Sequence, residues 1–106
     1  MIDSLSSNEI KKLFKTGKRI RGKDLSLIAG ESDSGPFRFA VLPAKVKLAT
    51  KRNAIRRAVR EAVRSFRKIL PGKRTAAIIT SEKLLLKSKE EIKNSVNKLF
   101  EQSGIL

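Results

Sequence analysis

Between Thr50 and Gly72 one face of the chain is apolar and the other almost wholly cationic, and this pairing restricts the fold more than any other feature. Ile55, Ala58, Val59, Ala62, Phe66, Ile69 and Leu70 recur at spacings of three and four, the period of a helix that lays an apolar stripe on a sheet. Thr50 is placed to cap this helix and Pro71-Gly72 to end it. Opposite the stripe stand Arg56, Arg60, Arg64 and Arg67, flanked by Arg57 and Lys68, with only Glu61 as an intrahelical acid. Like charges four apart cost about 0.2–0.5 kcal/mol per pair in an isolated helix, so a helix built for stability alone would mix signs. Outer charges on a helix are ordinarily just a solvated face. Their uniform sign here favours a face that binds an anion.

The remaining pattern supplies the sheet. Ser6-Ser7-Asn8-Glu9 reads as a capping box, opening a short helix with Ile10, Leu13 and Phe14 on one face and Gly17 at its end. Lys18–Arg21 is too polar for more than a short edge strand. Leu25 and Leu27 alternate with Asp24 and Ser26, giving a strand to about Ala29. Gly30 to Gly35 reads as a polar turn, and Phe37, Phe39 and Val41 alternate with Arg38 and Ala40 in a further strand closed by Pro43. Ala76-Ala77-Ile78-Ile79 is continuous and apolar, as in the centre of a sheet. Ser88-Lys89-Glu90-Glu91 is a second capping box, and the helix it opens turns Ile92, Val96, Leu99 and Phe100 inward and closes near Gly104. Helix, two or three strands, helix, strand, helix makes a small α/β sandwich in one domain spanning 1–106.

The start of the central helix opposes its own electrostatics. Lys51 and Arg52 fall in the first turn, where cations work against the helix dipole by about 0.3–1 kcal/mol each when exposed. A bound phosphate reverses that sign, because free N–H groups and the dipole already favour an anion there. Lys45, Lys47, Lys51, Arg52 and the Asn53 amide would add donors around it.

Charge over the whole chain agrees. The 106 residues carry 25 Lys and Arg against 10 Asp and Glu, a net charge of +15 and a pI near 10.9. Residues 45–74 hold twelve basic side chains against one acidic, while the flanking segments 1–44 and 75–106 carry only +3 and +1. Such a concentrated field is the footprint of nucleic-acid binding, driven by release of counterions from phosphates. The chain has no His, Cys or Tyr, so the usual general acids and nucleophiles are missing. Asp3, Glu9, Asp24, Glu31 and Asp33 are scattered rather than gathered like two-metal carboxylates, and no Gly-rich phosphate loop is present. No catalytic or metal-binding residue is therefore expected in the protein. No apolar run is long enough for a membrane span, and Met1-Ile2-Asp3-Ser4 lacks the layout of a signal peptide. A cytoplasmic protein without a membrane partner or an evident obligate protein partner is expected.

Phe37 and Phe39 admit two readings. Aromatics on one face of a strand are ordinarily core, and then Arg38 faces outward. Alternatively they stack bases in a groove for single-stranded RNA, with Phe14 and Ile10 along one wall.

The segment Thr50-Lys51-Arg52-Asn53-Ala54-Ile55-Arg56-Arg57-Ala58-Val59-Arg60-Glu61-Ala62 resembles the signature of the protein subunit of bacterial ribonuclease P. That family carries an Arg-Asn-Arg core followed by a helix of the type Ile-Lys-Arg-x-x-Arg-Glu. Ile10 to Gly17 resembles its opening helix and Gly turn, and Leu25-Ser26-Leu27, Arg38 to Leu42 and Ala77-Ile78-Ile79 sit where its strands belong. The resemblance implies a two-layer α/β (α+β) sandwich of order αβββαβα, with a four-stranded sheet and a left-handed βαβ crossover, like the second domain of a ribosomal protein. It also implies that a large RNA carries the chemistry with Mg²⁺ at the RNA active site, removing the 5′ leader of precursor tRNA. The protein would bind that RNA through Lys45, Lys47, Lys51, Arg52, Asn53, Arg56, Arg57, Arg60 and Arg64. It would hold the leader in a groove between sheet and first helix that includes Phe14, Phe37, Arg38 and Phe39. Ala54 stands where the family's second Arg would be, Pro43-Ala44-Lys45 replaces Ser-Lys-Lys, and Lys47 replaces a Gly. Ile10 and Ile28 stand where many members have aromatics, and Thr80-Ser81-Glu82 replaces Ala-Arg-Lys.

Three other classes share parts of the pattern. A ribosomal or other structural RNA-binding protein would share the charge without pairing Arg-Asn with this helix between these strands. A DNA-binding module using one helix would call for dimer symmetry, and no zipper follows. A free-standing nuclease lacks its acid–base pair. On the first reading, Arg52→Ala and Arg56→Ala are each expected to weaken binding to the catalytic RNA and leave the fold intact, as measured by RNA affinity, its salt slope and thermal melting.

Overall fold

The computed structural model describes residues 5–33 and 35–106. The N-terminal stretch read above for a signal peptide, including Asp3, lies outside the described residues, as does Ser34 in the expected polar turn. The elements run α1 (Ser7–Thr16), β1 (Lys18–Arg21), β2 (Leu25–Glu31), β3 (Arg38–Pro43), α2 (Ala49–Arg64) and β4 (Arg74–Thr80). A short 3₁₀ helix (Glu82–Leu86) and α3 (Lys89–Ser103) complete the chain. The four strands form one mixed sheet in the order β1-β2-β4-β3. β1–β2 and β2–β4 are antiparallel, and β3–β4 is parallel with α2 as the crossover. The order αβββαβα and the α+β arrangement are those expected.

Side-chain alternation divides the sheet into two unlike faces. Leu25, Leu27 and Ala29 of β2, Phe39 and Val41 of β3, and Ala76 and Ile78 of β4 face α2 and α3 and form the main core. The larger helices contribute Ile55, Val59, Val63, Val96 and Phe100, all 0–1% exposed. The apolar run Ala76–Ile79 lies in β4, at the centre of the sheet between β2 and β3. On the other face α1 covers β2 and part of β4 through Leu13, which packs with Ile28 and Ala77. Its approach is close. A Cβ on Gly30 would lie 2.3 Å from Leu13 Cδ2, and one on Gly17 would lie 2.5 Å from Ile28 Cγ2. Gly17 thus ends α1 with an ordinary extended backbone (φ −74°), and its role is space rather than left-handed geometry.

Both capping boxes are formed. Ser6 and Ser88 each accept a hydrogen bond from the backbone of Glu9 and Glu91, whose carboxylates accept from the serine N–H in return. The central helix departs from expectation at both ends. Its N-cap is Leu48, so Thr50 lies inside the first turn and caps nothing. At the other end the α-helix stops at Arg64, and the N–H groups of Phe66, Arg67 and Ile69 bond to carbonyls three residues back. That tighter winding rotates Phe66 onto Phe100, ring centroids 6.1 Å apart, and leaves Ile69 63% exposed. Val63, absent from the expected stripe, is fully buried instead.

Phe37 and Phe39 belong to the core. They are 3% and 0% exposed, with ring centroids 6.2 Å apart, and Phe37 meets the edge of Phe100. Their inclusion in a leader groove is corrected accordingly: the pleat turns them to the helix-covered face and turns Arg38, Ala40 and Leu42 to the other. Phe39→Ala is expected to cost about 3–5 kcal/mol through cavity formation, whereas Phe14→Ala at a 40% exposed position should cost about 1 kcal/mol or less. Urea denaturation of both variants checks the contrast.

Candidate nucleic-acid interface

The loop between β3 and α2 is pinned at few points. Ala44 donates its N–H to the Thr80 carbonyl at 2.8 Å, and Val46 is buried in the main core. Lys45 and Lys47, on either side of that anchor, are exposed, and Lys45 sits in the left-handed region at φ 58°. A side chain rarely adopts this region, which costs about 1–3 kcal/mol and persists only where the surroundings enforce it. Arg52 reaches back from the first turn of α2 and donates to the Val46 and Lys47 carbonyls at 3.1 and 2.7 Å. This residue therefore builds the loop as well as charging it, so Arg52→Ala is no longer expected to leave the local structure intact. Lys51 is paired with Glu82 of the 3₁₀ helix.

The same chain that seals α1 and α3 with Ser and Glu leaves α2 open. No side chain caps it, no acid lies in its first turn, and Lys51 and Arg52 occupy that turn instead. Beyond it, Asn53, Arg57 and Arg64 are exposed, while Arg56 and Arg60 are half-buried. The Arg60 Nε is buried with no hydrogen-bond partner, an unsatisfied donor that favours an acceptor. Glu61, the one acid of α2, pairs across to Lys89 of α3 at 3.5 Å. The result is a loop and helix face rich in donors.

The open sheet face holds the second feature. α1 covers β2 and part of β4, and leaves Ala40 and Leu42 of β3 and Ile79 of β4 half-buried beside it. Strand register places Arg19 with Ile28 and Arg21 with Ser26 on this same face, along the opposite sheet edge. The Arg19 guanidinium lies 5.3 Å from the centre of the exposed Phe14 ring. Arg38 is held by Glu9 of α1, with Nη1 3.1 Å from Oε1 and Nη2 bonded to Oε2. A shallow trough with an apolar floor and cationic margins results. Of the groove residues expected from sequence, Phe14 and Arg38 lie here. Arg19 and Arg21 were missed, although the alternation Lys18-Arg19-Ile20-Arg21 around one inward Ile already carried the signal. Among the described residues no three His, Cys, Asp or Glu side chains converge to hold a metal ion, and no helix is long and apolar enough to cross a membrane.

The sequence model of the family described as Ribonuclease P matches residues 5–104. Searching curated proteins by sequence gives no significant match. Among solved structures, the Staphylococcus aureus ribonuclease P protein superposes with a TM-score of 0.86 at 16% identity, over 99% of this chain and 97% of that one. The Thermotoga maritima ribonuclease P protein superposes with a TM-score of 0.83 at 19% identity, over 96% and 97%. A Staphylococcus aureus variant with defective mRNA degradation activity gives 0.86 at 16% identity, over 98% and 89%. At these identities the superpositions establish a shared fold.

The Glu9 carboxyl is held below its usual value near 4.5, first by the Ser6 backbone N–H and then by Arg38. A depressed folded value means that this stabilisation is present at neutral pH and fades as pH falls from about 4.5 through the folded value. Acidification through that window is expected to loosen α1 from the sheet before the main core yields, as read by amide exchange of residues 7–16. Arg38→Ala should raise the Glu9 pKa only part of the way, because Ser6 remains.

Proposed function

The chain belongs to the ribonuclease P protein family and is a protein component of ribonuclease P, and from that premise we propose how it assists the catalytic RNA in removing the 5′ leader of precursor tRNA. The observation that carries the proposal is the open start of α2: a helix left uncapped, with cations and no acid in its first turn, in a chain that caps both its other α-helices. Backbone N–H groups at that end and the side chains of Lys45, Lys47, Lys51 and Asn53 receive a phosphate of the RNA. Arg56, Arg57, Arg60 and Arg64 extend the contact along the helix, and Arg52 shapes the loop that delivers the lysines. Binding a polyanion there replaces mutual repulsion with charge-assisted hydrogen bonds, and its strength falls with salt.

The 5′ leader lies in the trough on the open sheet face. Ala40, Leu42 and Ile79 give an apolar floor on which bases rest, the exposed Phe14 ring offers a stacking surface, and Arg19 and Arg38 flank the backbone. The bond cleaved is a phosphodiester of precursor tRNA, and the RNA subunit performs the hydrolysis. Mg²⁺ held at the RNA active site supplies the metal-ion chemistry. The protein contributes positioning and electrostatic stabilisation, as suits a chain without His, Cys or Tyr. A cytoplasmic place of action completes the reading.

The test is precursor-tRNA cleavage by a bacterial ribonuclease P RNA at low Mg²⁺, with and without this protein. Stimulated release of an intact leader that requires the RNA is expected, and no stimulation with the cognate RNA overturns the proposal. Arg56→Ala/Arg57→Ala should lower the salt slope of RNA binding by about one for each cation removed, with unchanged melting. An unchanged slope would rule out α2 as the RNA-binding face.

A further inference from the structure

A second concentration of cations lies at the sheet edge opposite α2. The β1–β2 turn, the loop between the 3₁₀ helix and α3, and one face of α3 enclose a pocket of 380 Å³. Arg21 and Lys23 from the hairpin, Lys87 from the loop, and Ser95, Lys98 and Gln102 from α3 line it. Its one acid, Asp24, is already bound to Lys87 at 3.2 Å, with both side chains largely buried. That pair fixes the loop against the hairpin and neutralises the one acid that lines the pocket. Gly22 brings the turn close to the helix: a Cβ there would lie 2.6 Å from the Leu25 carbonyl oxygen and 3.4 Å from Leu99 Cδ2.

Arg21, Lys23 and Lys98 are exposed and form no ion pair among the described residues. Elsewhere α3 mixes its signs. Glu91 closes the capping box, and Glu101 accepts a hydrogen bond from Asn97 at 2.8 Å. On the face through Ser95, Lys98 and Gln102 the one acid is Glu91, four residues before Ser95, and it is engaged in the capping box with Ser88. Charge kept for solubility would be interspersed, whereas cations gathered in a concave site focus the field on an anion. The ammonium groups of Lys23 and Lys98, the Ser95 hydroxyl and the Gln102 amide are donors suited to phosphodiester oxygens.

We propose that this pocket is a second phosphodiester-binding site, holding an RNA backbone at the β1 edge while α2 holds RNA from the β3 side. The proposal rests on the reading that the chain is an RNA-binding subunit. The strand held is either the leader continuing past Arg19 and Arg21 out of the trough, or a segment of the catalytic RNA.

The experiment uses the full chain with Lys23→Gln/Lys98→Gln, which keeps the side-chain stems, and Lys23→Arg/Lys98→Arg, which keeps the charge. Arg56→Ala/Arg57→Ala serves as the control for α2. Affinity is measured against salt for the ribonuclease P RNA alone, and for the holoenzyme with precursor tRNAs of increasing leader length. The Gln pair should lower the salt slope by about 1.4 and the affinity about tenfold at 0.15 M salt, with unchanged melting, and the Arg pair should retain both. A loss with the RNA alone assigns the site to the catalytic RNA, and a loss only with longer leaders assigns it to the leader. No loss in either arm, while the α2 control loses affinity, overturns the second site alone. No loss in the control either would instead overturn the reading on which it rests.

Discussion

The burial of one stripe of α2 against β3 and α3 is the contact on which the rest of the molecule depends. Ile55, Val59 and Val63 are completely buried there. At about 1.5–3 kcal/mol for each side chain removed from water, the stripe outweighs repulsion of about 0.2–0.5 kcal/mol per like-charged pair on the outer face. A cationic helix that would be marginal in isolation is thereby held in a fixed orientation. The binding face is stable because its reverse side is core, so substitutions on the stripe and on the arginines should separate into effects on folding and effects on RNA affinity.

The two sides of the sheet are used differently. One is filled by two long helices and all the aromatic packing. The other carries a single short helix, seated on Gly30 and latched by Glu9 to Arg38, and remains partly open. The close seat of Leu13 confines α1 to β2 and part of β4, which leaves Ala40, Leu42 and Ile79, the floor of the trough, half-buried. A larger residue at position 30 would push α1 outward and change the width of that trough without touching any of its lining residues.

Much of this was readable in the chain itself. Capping boxes at Ser6 and Ser88, the polar edge strand, the central apolar strand and the cationic helix follow from local chemistry, and the structure contains them all. Helix ends were less legible: α2 starts from Leu48, an exposed residue that makes no side-chain cap, and it ends where Phe66 packs on Phe100, a tertiary contact that no local signal encodes. The side taken by Phe37 and Phe39 was open for a similar reason: alternation defines two faces but does not say which one the long helices cover. The second employment of Arg52 was hidden too. A guanidinium that binds its own loop carbonyls has the same sequence signature as one waiting for a phosphate.

β4 lies between β2 and β3, yet it is the last strand made, and its pairing with β3 is parallel across the whole of α2. The β1–β2 hairpin can close as soon as it is synthesised, but β3 has no neighbour in the sheet until residues 74–80 arrive and insert. Long-range pairing of this kind is slow, because the intervening loop must be closed before any contact rewards it. On a ribosome, the arginine face of α2 therefore lacks its fixed platform until the chain has been extended past Thr80. Assembly with RNA is thus ordered in time by the sheet: completion of the central strand precedes presentation of a rigid binding surface.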